Sequence, residues 1–464
     1  MRGPLNDDTL LVFISDVHIG GAAGTEVFDS AAELTALLGE LERHDGPVEL
    51  VLAGDFFDLL RMNAPDGKDD RIASTIARPE YKELFDGLRR FARDPRCRVT
   101  YVVGNHDAEA WWNQRIRREL VDEGLVHEVA LSFAATFAAA PDQVVYCEHG
   151  NQLDPANRIA DYGNPLESPL GTHVVTDFVR PLGSGASVTE SLHLRDVNYV
   201  FPVGEIPEWI AGRIFYQFAS QAIRWLLTPL LVAFVLIIVF TSRTDEGTLG
   251  ARRLLVGVVF DLALLVVASG VLFFISRRVA KQAITIMAAT PFGRAVGAGR
   301  RPNDEIRELL SDGRSPPMAS NVSGTNIAVW VSGHSHAPGS AEVQHADGRR
   351  VVMVNTGCWL RQLQPVQAHF GAPAVFVPAF VQTHVRVRCE DGGLTVELWD
   401  RPRPIERRLR WIDPLRIVPK RPKPADPRIP WIERAAIIGR LPEQPPPGEP
   451  FLVARHHVSV RSAT

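Results

Sequence analysis

Cysteine is scarce. Cys97, Cys147, Cys358 and Cys389 are the only four in 464 residues, and none forms a C-x-x-C pair. That spacing argues against a disulfide framework or a zinc knuckle and fits a reducing compartment. An excess of charge of one sign is also missing. Fifty Lys and Arg against 54 Asp and Glu leave a net charge of −4, so the basic face of a nucleic-acid binder is not expected. No internal repeat is visible. The N-terminus lacks the apolar core of a signal peptide: in "MRGPLNDDTLLVFISDVHIG" an apolar run of about six residues leads straight into an Asp-x-His. It reads as a first β-strand, with the N-terminal part expected in the cytoplasm.

What is present is enough apolar residue, 45%, for a full core, in a chain long enough for two to three domains or one large domain with insertions. The first half alternates strands and helices. "TLLVFIS", "VELVLAG", "CRVTYVVG" and "QVVYCEHG" read as strands; "SAAELTALLGELERH" and "PEYKELFDGLRRFARD" have helical spacing, and a helix starts near Glu109. Continuous apolar runs mark strands covered on both faces, so the class is α/β with a layered sheet. Residues 155–210 show no clean period and read as loops and short helices. Strands return at "NIAVWVSG" and "RVVMVNTG", and "HVRVRCEDGGLTVELW" reads as a hairpin around a Gly-Gly turn.

Five short motifs follow apolar runs in order: "SDVH" with Asp16 and His18, "GDFFD" with Asp55 and Asp58, "GNHD" with Asn105, His106 and Asp107, "EHG" with His149, and "GHSH" with His334 and His336. Carboxyl ends of strands form the binding crevice of layered α/β folds, so these side chains can converge. Asp, Asn and His suit divalent manganese, iron, zinc or cobalt. Two ions about 3.5–4 Å apart, sharing a carboxylate, can clamp the attacking and leaving oxygens of a phosphoryl displacement. Each motif alone is weak: a lone Asp-x-His is more often structural, and a lone Asn-His-Asp is more often a turn. All five in order leave little room for that reading.

This series resembles the calcineurin-like metallophosphoesterase superfamily, over about residues 9–155 and 325–400. The resemblance implies a four-layer sandwich, here carrying an inserted hydrophobic helical hairpin, and a dimetal phosphoesterase acting on a phosphate mono- or diester. Asp16, His18 and His336 would hold one metal, Asp55 would bridge, and Asn105, His149 and His334 would hold the other. His106, oriented by Asp58, would stand at the leaving group, and the nucleophile would be a metal-bridging hydroxide. Manganese is the favoured ion. Asp107 reads as a second-layer partner or, slightly preferred, a helix cap; Asn151, Asp154 and Asn355 read as loop-shaping or second-layer residues. Two departures narrow the subfamily. Leu59 follows Asp58 where the Ser/Thr protein phosphatases carry arginine, which argues against protein dephosphorylation. His106 stands where the UDP-2,3-diacylglucosamine hydrolases, distantly similar in having an insert, typically carry arginine. A nucleotide or cyclic-nucleotide phosphodiesterase and a non-catalytic scaffold are the alternatives; the complete ligand set argues against the scaffold.

His149 and His334 are 185 positions apart, and the excess holds two apolar stretches, about 225–241 and 254–276. At about 17 and 23 residues they bracket the roughly 20 that a membrane span needs. A transmembrane hairpin is the first reading, a hairpin in a homodimer interface or in one leaflet the second, a core helix pair the third. The first puts the chain in the inner membrane with its catalytic domain cytoplasmic, and makes a lipid-linked phosphoester a natural substrate. Asp261, inside the second stretch, reads as a functional residue or a dimer contact. The division expected is 1–155 and 277–412 as the two halves of the catalytic domain, 156–224 an irregular insertion, 225–276 the hairpin, and 413–464 a Pro-rich basic tail with one short helix near 431–440.

Overall fold

The computed structural model describes residues 4–21, 26–62, 70–179, 194–200, 205–216, 248–289, 302–318, 326–366, 372–401 and 450–459, with a few single positions between. Its first strands are β1 (Leu10–Ile14), β2 (Val48–Ala53), β3 (Cys97–Val102) and β4 (Glu128–Ala130). Then come β5 (Phe133–Phe137), β6 (Ala140–Cys147), β7 (Ile327–Ser332), β8 (Gly339–Gln344) and β9 (Arg350–Asn355). The last are β10 (Trp359–Val366), β11 (Val375–Glu390), β12 (Gly393–Asp400) and β13 (Phe451–Ser459). One sheet runs β13-β12-β11-β1-β2-β3-β4, with β10 paired to β11; the other runs β5-β6-β7-β9-β8. Strands β1 to β4 are mutually parallel, as are β6, β7 and β9.

The all-apolar strands are explained by their two covered faces. In β1, "LLVFI", side chains alternate sides. Leu10, Val12 and Ile14 pack outward, with Leu34, Leu37 and Leu41 of α1 (Ala31–Glu42) and Phe85, Leu88 and Phe91 of α2 (Lys82–Arg93). Ile116 and Leu120 of α3 (Gln114–Asp122) join the same layer. Leu11 and Phe13 point inward, into a second core shared with Val145, Val329, Val331 and Val354 of the other sheet. The far face of that sheet, with Trp330 and Tyr146, is covered by Ile306, Leu309 and Leu310 of a later helix, Pro302–Ser311. Helices, sheet, sheet and helix make the four expected layers.

Between β6 and β7 the chain adds two features. Residues 194–200 and 205–216 build a small core in which Val197, Val200 and Trp209 pack with Leu363 of β10; Tyr216 Oη donates to the Pro373 carbonyl at 2.7 Å. A 42-residue helix, α4 (Thr248–Ala289), follows, and the Pro302–Ser311 helix is α5 in chain order. The second apolar stretch lies inside α4. Its Val256, Phe260, Val267, Val271 and Phe274 are more than half exposed. Among the described residues no helix is long and apolar enough to cross a membrane, so the expected transmembrane hairpin finds no support there. The first apolar stretch (except three helical positions, Val232, Val235 and Val239), the link that follows it to residue 247, the side chain of Asp261 and the tail from 404 to 449, with its expected short helix, lie outside the described residues.

Two further readings change. The β11–β12 hairpin turns on Asp391-Gly392, both with positive φ, and Gly393 already pairs with Glu390; Asp-Gly fits the tight two-residue turn. Phe451–Ser459, within the stretch read as tail, is an edge strand antiparallel to β12.

Candidate metal centre

The parallel order brings the carboxyl ends of β1, β2 and β3 to one rim and those of β6 and β7 to the same rim of the facing sheet. All five motifs leave their strands there. Six non-glycine described residues have positive φ, and five of them are Asp16, His18, Asp55, His334 and His336. An L-residue in that region costs roughly 1–2 kcal/mol, and strain of this kind collects where surroundings over-determine a functional geometry. Here the surroundings are hydrogen bonds. The Asp16 amide donates to the Gly54 carbonyl (3.0 Å) and the His18 amide to the Asp55 carbonyl (2.9 Å). The His106 amide donates to Asp55 Oδ1 (2.8 Å), and the His334 amide to Asp16 Oδ2 (2.9 Å). Glycine is needed where these loops crowd. At Gly54, with φ of 92°, an added methyl would overlap the His149 ring, and at Gly104 it would overlap the Asp55 carboxylate.

Among the described residues the side chains form three overlapping groups, two separate triads and a third, His18, Asp55 and His106, that shares a member with each. Asp16, His18 and His336 have donor atoms all within 4.8 Å of one another, and so have Asp55, His149 and His334. Asp55 joins them: its Oδ2 is 3.1 Å from His149 Nε2 and 3.8 Å from His18 Nε2. His336 Nε2 is 3.0 Å from Asp16 Oδ1 and 3.2 Å from His18 Nε2. Asn105 is buried beside them; its Nδ2 donates to Asn157 Oδ1 at 3.4 Å, while its Oδ1 has no hydrogen-bond partner. His149 Nε2 and Asp16 Oδ1 are likewise buried and make no hydrogen bond of acceptable geometry. Buried polar atoms are normally satisfied. Three buried donor atoms of ligand type without a hydrogen-bond partner, two of them (His149 Nε2 and Asp16 Oδ1) 4.0 Å apart, fit divalent cations in the mixed O/N donor class.

The partners behind the ligands fix their orientation. His149 Nδ1 faces the Ala53 carbonyl at 2.9 Å. A carbonyl cannot donate, so Nδ1 carries the proton and Nε2 is left for a metal. His334 Nε2 contacts Asp154 Oδ2 at 3.0 Å, and Asn157 Nδ2 donates to the same oxygen at 2.6 Å. Asn355 Nδ2 donates to the Gly333 carbonyl at 2.6 Å and holds the Gly-His-Ser-His loop. Asn151, also buried, donates from Nδ2 to the Asn157 carbonyl. Asp107 is not a helix cap: Ala108 occupies that position and makes no side-chain cap bond. The fully buried Asp107 carboxylate accepts from Tyr101 Oη (2.6 Å), the Gly104 amide (2.6 Å) and the Phe56 amide (2.9 Å), tying the second motif to the third. Burial and the neighbouring Asp55 push its pKa up to about 7.

His106 belongs to neither triad, although its donor atom lies within 4.8 Å of those of His18 and Asp55. Its Nδ1 is 2.9 Å from Asp58 Oδ1, and its ring meets that of His18 edge-on at 4.5 Å. Burial alone would lower its pKa, but the Asp58 and Asp55 charges outweigh it and raise it. The same field acts on His149: Asp55 and Asp16 raise it to about 10 against burial. The carboxylates therefore favour positive charge between them. Two contributors escaped the sequence reading. Asn157 braces both Asn105 and Asp154, with no sequence signal beyond a polar loop. Arg61, at 9% exposure, puts its Nε 3.1 Å from Asp58 Oδ2; its place three residues after Asp58 was the available clue.

Residues 9–194 match the family described as calcineurin-like phosphoesterase. A search of curated proteins finds no match to the chain. The match covers four of the five motifs, and the triad geometry brings in the fifth: residues 9–194 belong to the calcineurin-like phosphoesterase family, which makes this chain a metal-dependent phosphoesterase.

Proposed function

We propose that the chain is a dimetal phosphoesterase hydrolysing a phosphate mono- or diester, with Asp16, His18 and His336 holding one cation, Asn105, His149 and His334 the other, and Asp55 bridging. The carrying observation is the position of Asp55 Oδ2, within 4 Å of a histidine of each triad. When bound, two divalent cations would supply charge for the phosphoryl oxygens and lower the pKa of water; manganese is the ion we favour. The chain's own groups do the rest. His106, kept cationic by Asp58, faces the leaving oxygen and donates a proton to it or balances its charge. Asp58, buried and held well below the usual carboxylate range by His106 and Arg61 against the opposing effect of burial, stays ionised and sets the ring's orientation.

The substrate we infer is lipid-linked, and the chain is placed at the cytoplasmic face of the inner membrane. Two features support this reading. The exposed apolar side chains of α4 exceed what a solvent-facing helix normally carries. Toward its C-terminal end the same helix adds Arg277, Arg278 and Lys281 beside Phe274 and Ile286, a pairing of apolar and cationic surface suited to lipid head groups. A second reading, that the same α4 face pairs with another copy in a homodimer, rests on the same exposure. Purified protein with manganese should hydrolyse bis(p-nitrophenyl) phosphate, and sediment with vesicles containing anionic phospholipid. No hydrolysis with any of Mn, Fe, Zn or Co would reject the enzymatic reading; a dimer that ignores vesicles would reject the membrane one.

A further inference from the structure

The two acidic members of the triads each give one carboxylate oxygen to the protein. Asp55 Oδ1 accepts the His106 amide, while its Oδ2 faces His149 and His18. Asp16 is held by two donors. Its Oδ2 accepts the His334 amide at 2.9 Å and the hydroxyl of Ser15. Its Oδ1 makes no hydrogen bond and lies 3.0 Å from His336 Nε2. Ser15 is in turn completed from behind. Its Oγ is 2.5 Å from Thr356 Oγ1. Thr356 is fixed by its own amide, which donates to the Ser332 carbonyl at 2.8 Å, and by Thr383, whose hydroxyl donates to the Thr356 carbonyl at 2.5 Å. Ser15, Asp16, Thr356 and Thr383 are all buried. The space around them is closed: a methyl added at Gly333 would overlap Ser15 Oγ and the Asp16 carboxylate. Four strands meet here, because Ser15 follows β1, Ser332 ends β7, Thr356 follows β9 and Thr383 lies in β11.

The hydroxyl hydrogens can be assigned. A carboxylate that binds a cation is ionised and only accepts. The single hydroxyl hydrogen of Ser15 therefore goes to Asp16 Oδ2 rather than to the Gly357 carbonyl at 3.3 Å. The Thr356 hydroxyl then donates to Ser15; its other acceptor, the Ser332 carbonyl, is farther off at 3.2 Å and already takes the Thr356 amide. Donation to a charged oxygen is stronger than between neutral groups, and each donor in the chain polarises the next. We propose that Ser15, backed by Thr356, is a positioning residue that holds Asp16 so that Oδ1 alone is presented to a cation. The proposal rests on the dimetal reading and deepens it. Without the Ser15 hydroxyl, Oδ2 keeps only the His334 amide, and the carboxylate is free to turn away from His336. The loss falls on the cation held by Asp16, His18 and His336. Asn105, His149, His334 and the bridging Asp55 keep their own supports.

Calorimetric addition of manganese to the metal-free full chain tests this, with urea unfolding of the same metal-free chains to show that each variant is folded. Ser15→Ala should weaken one of the two manganese sites about 10–100-fold, the usual effect of removing a group that orients a ligand, and leave the other close to wild type. Thr356→Val, which keeps the shape and removes the hydroxyl, should weaken the same site by less. Thr356→Ser, which restores the hydroxyl, should bind as wild type does, and this pair carries the test if Ser15→Ala fails to fold. In a His336→Ala chain, Ser15→Ala should leave the remaining site unchanged. Variants that lose stability yet bind both ions normally, a Ser15→Ala chain that weakens both sites equally, or a Thr356→Ser chain that binds no better than Thr356→Val would overturn the proposal. A wild-type chain that takes up fewer than two ions would instead reject the dimetal reading.

Discussion

His149, at the end of a strand in one sheet, hydrogen-bonds through Nδ1 to the backbone carbonyl of Ala53, at the end of a strand in the other, at 2.9 Å. That bond fixes the gap between the sheets at the rim and chooses the nitrogen offered to a metal. It also explains Gly54: any side chain one residue on would occupy the imidazole's place.

His106 is raised in pKa by Asp58 and Asp55 against burial, and belongs to neither triad of proposed ligands. His106→Ala should lower kcat on aryl diesters about 10²–10⁴-fold, the usual range for a positioned acid, with metal content unchanged. The sign of the pH dependence follows from the raised pKa. The ring stays protonated above its ordinary 6.5, and activity should fall on the alkaline side as it deprotonates. A pH–rate profile of the variant should lack that limb; a limb that persists would assign it elsewhere.

Asp107 satisfies three buried donors. Asp107→Ala strands all three, each costing about 1–3 kcal/mol, so a loss of about 3–5 kcal/mol is expected in urea unfolding, with catalysis reduced because the second and third motifs lose their tie. Asp107→Asn, which keeps an acceptor, should lose less. A change under about 1 kcal/mol in the alanine variant would contradict the role given to it.

Glu40 sits between Arg386 (2.7 Å) and Arg401 (2.5 Å), linking α1 to the β11–β12 sheet. Burial raises its pKa, but the hydrogen bond from Arg386 and the charges of both arginines outweigh that and lower it below its ordinary 4.5. A depressed acid contributes stability above its unfolded pKa and loses it as pH falls through the folded one. Because Glu40 is about a third exposed, the contribution should be on the order of 1 kcal/mol or less. The stability gap between wild type and Glu40→Gln, measured by urea midpoint, should therefore be present at pH 7 and close as pH falls below 4.5; a gap that widens in acid would refute the sign.

Much of this was legible because parallel strands in a layered fold are continuous apolar runs. "LLVFI", "VELVLA", "CRVTYV" and "IAVWVS" appear as β1, β2, β3 and β7, and a motif after each puts ligands at one rim. Strands such as β10, "WLRQLQPV", escaped notice because polar residues interrupt them; their pairing with β11 supplies what local sequence does not. Partners such as Asn157 and Arg61 depend on where loops fold back, which no short pattern encodes. Asp107 shows the converse: a residue placed before a helix looks like its cap, yet the buried Tyr101 hydroxyl and two amides claim it first.

The central claim is a pair of cations joined by Asp55. Metal analysis of purified wild type and Asp55→Ala, each reloaded with manganese and dialysed, tests it most directly. The account predicts two ions per wild-type chain and loss of at least one in Asp55→Ala, with hydrolysis of bis(p-nitrophenyl) phosphate abolished. A wild-type chain that holds no more than one ion, or an Asp55→Ala variant that keeps two and turns over normally, would contradict it.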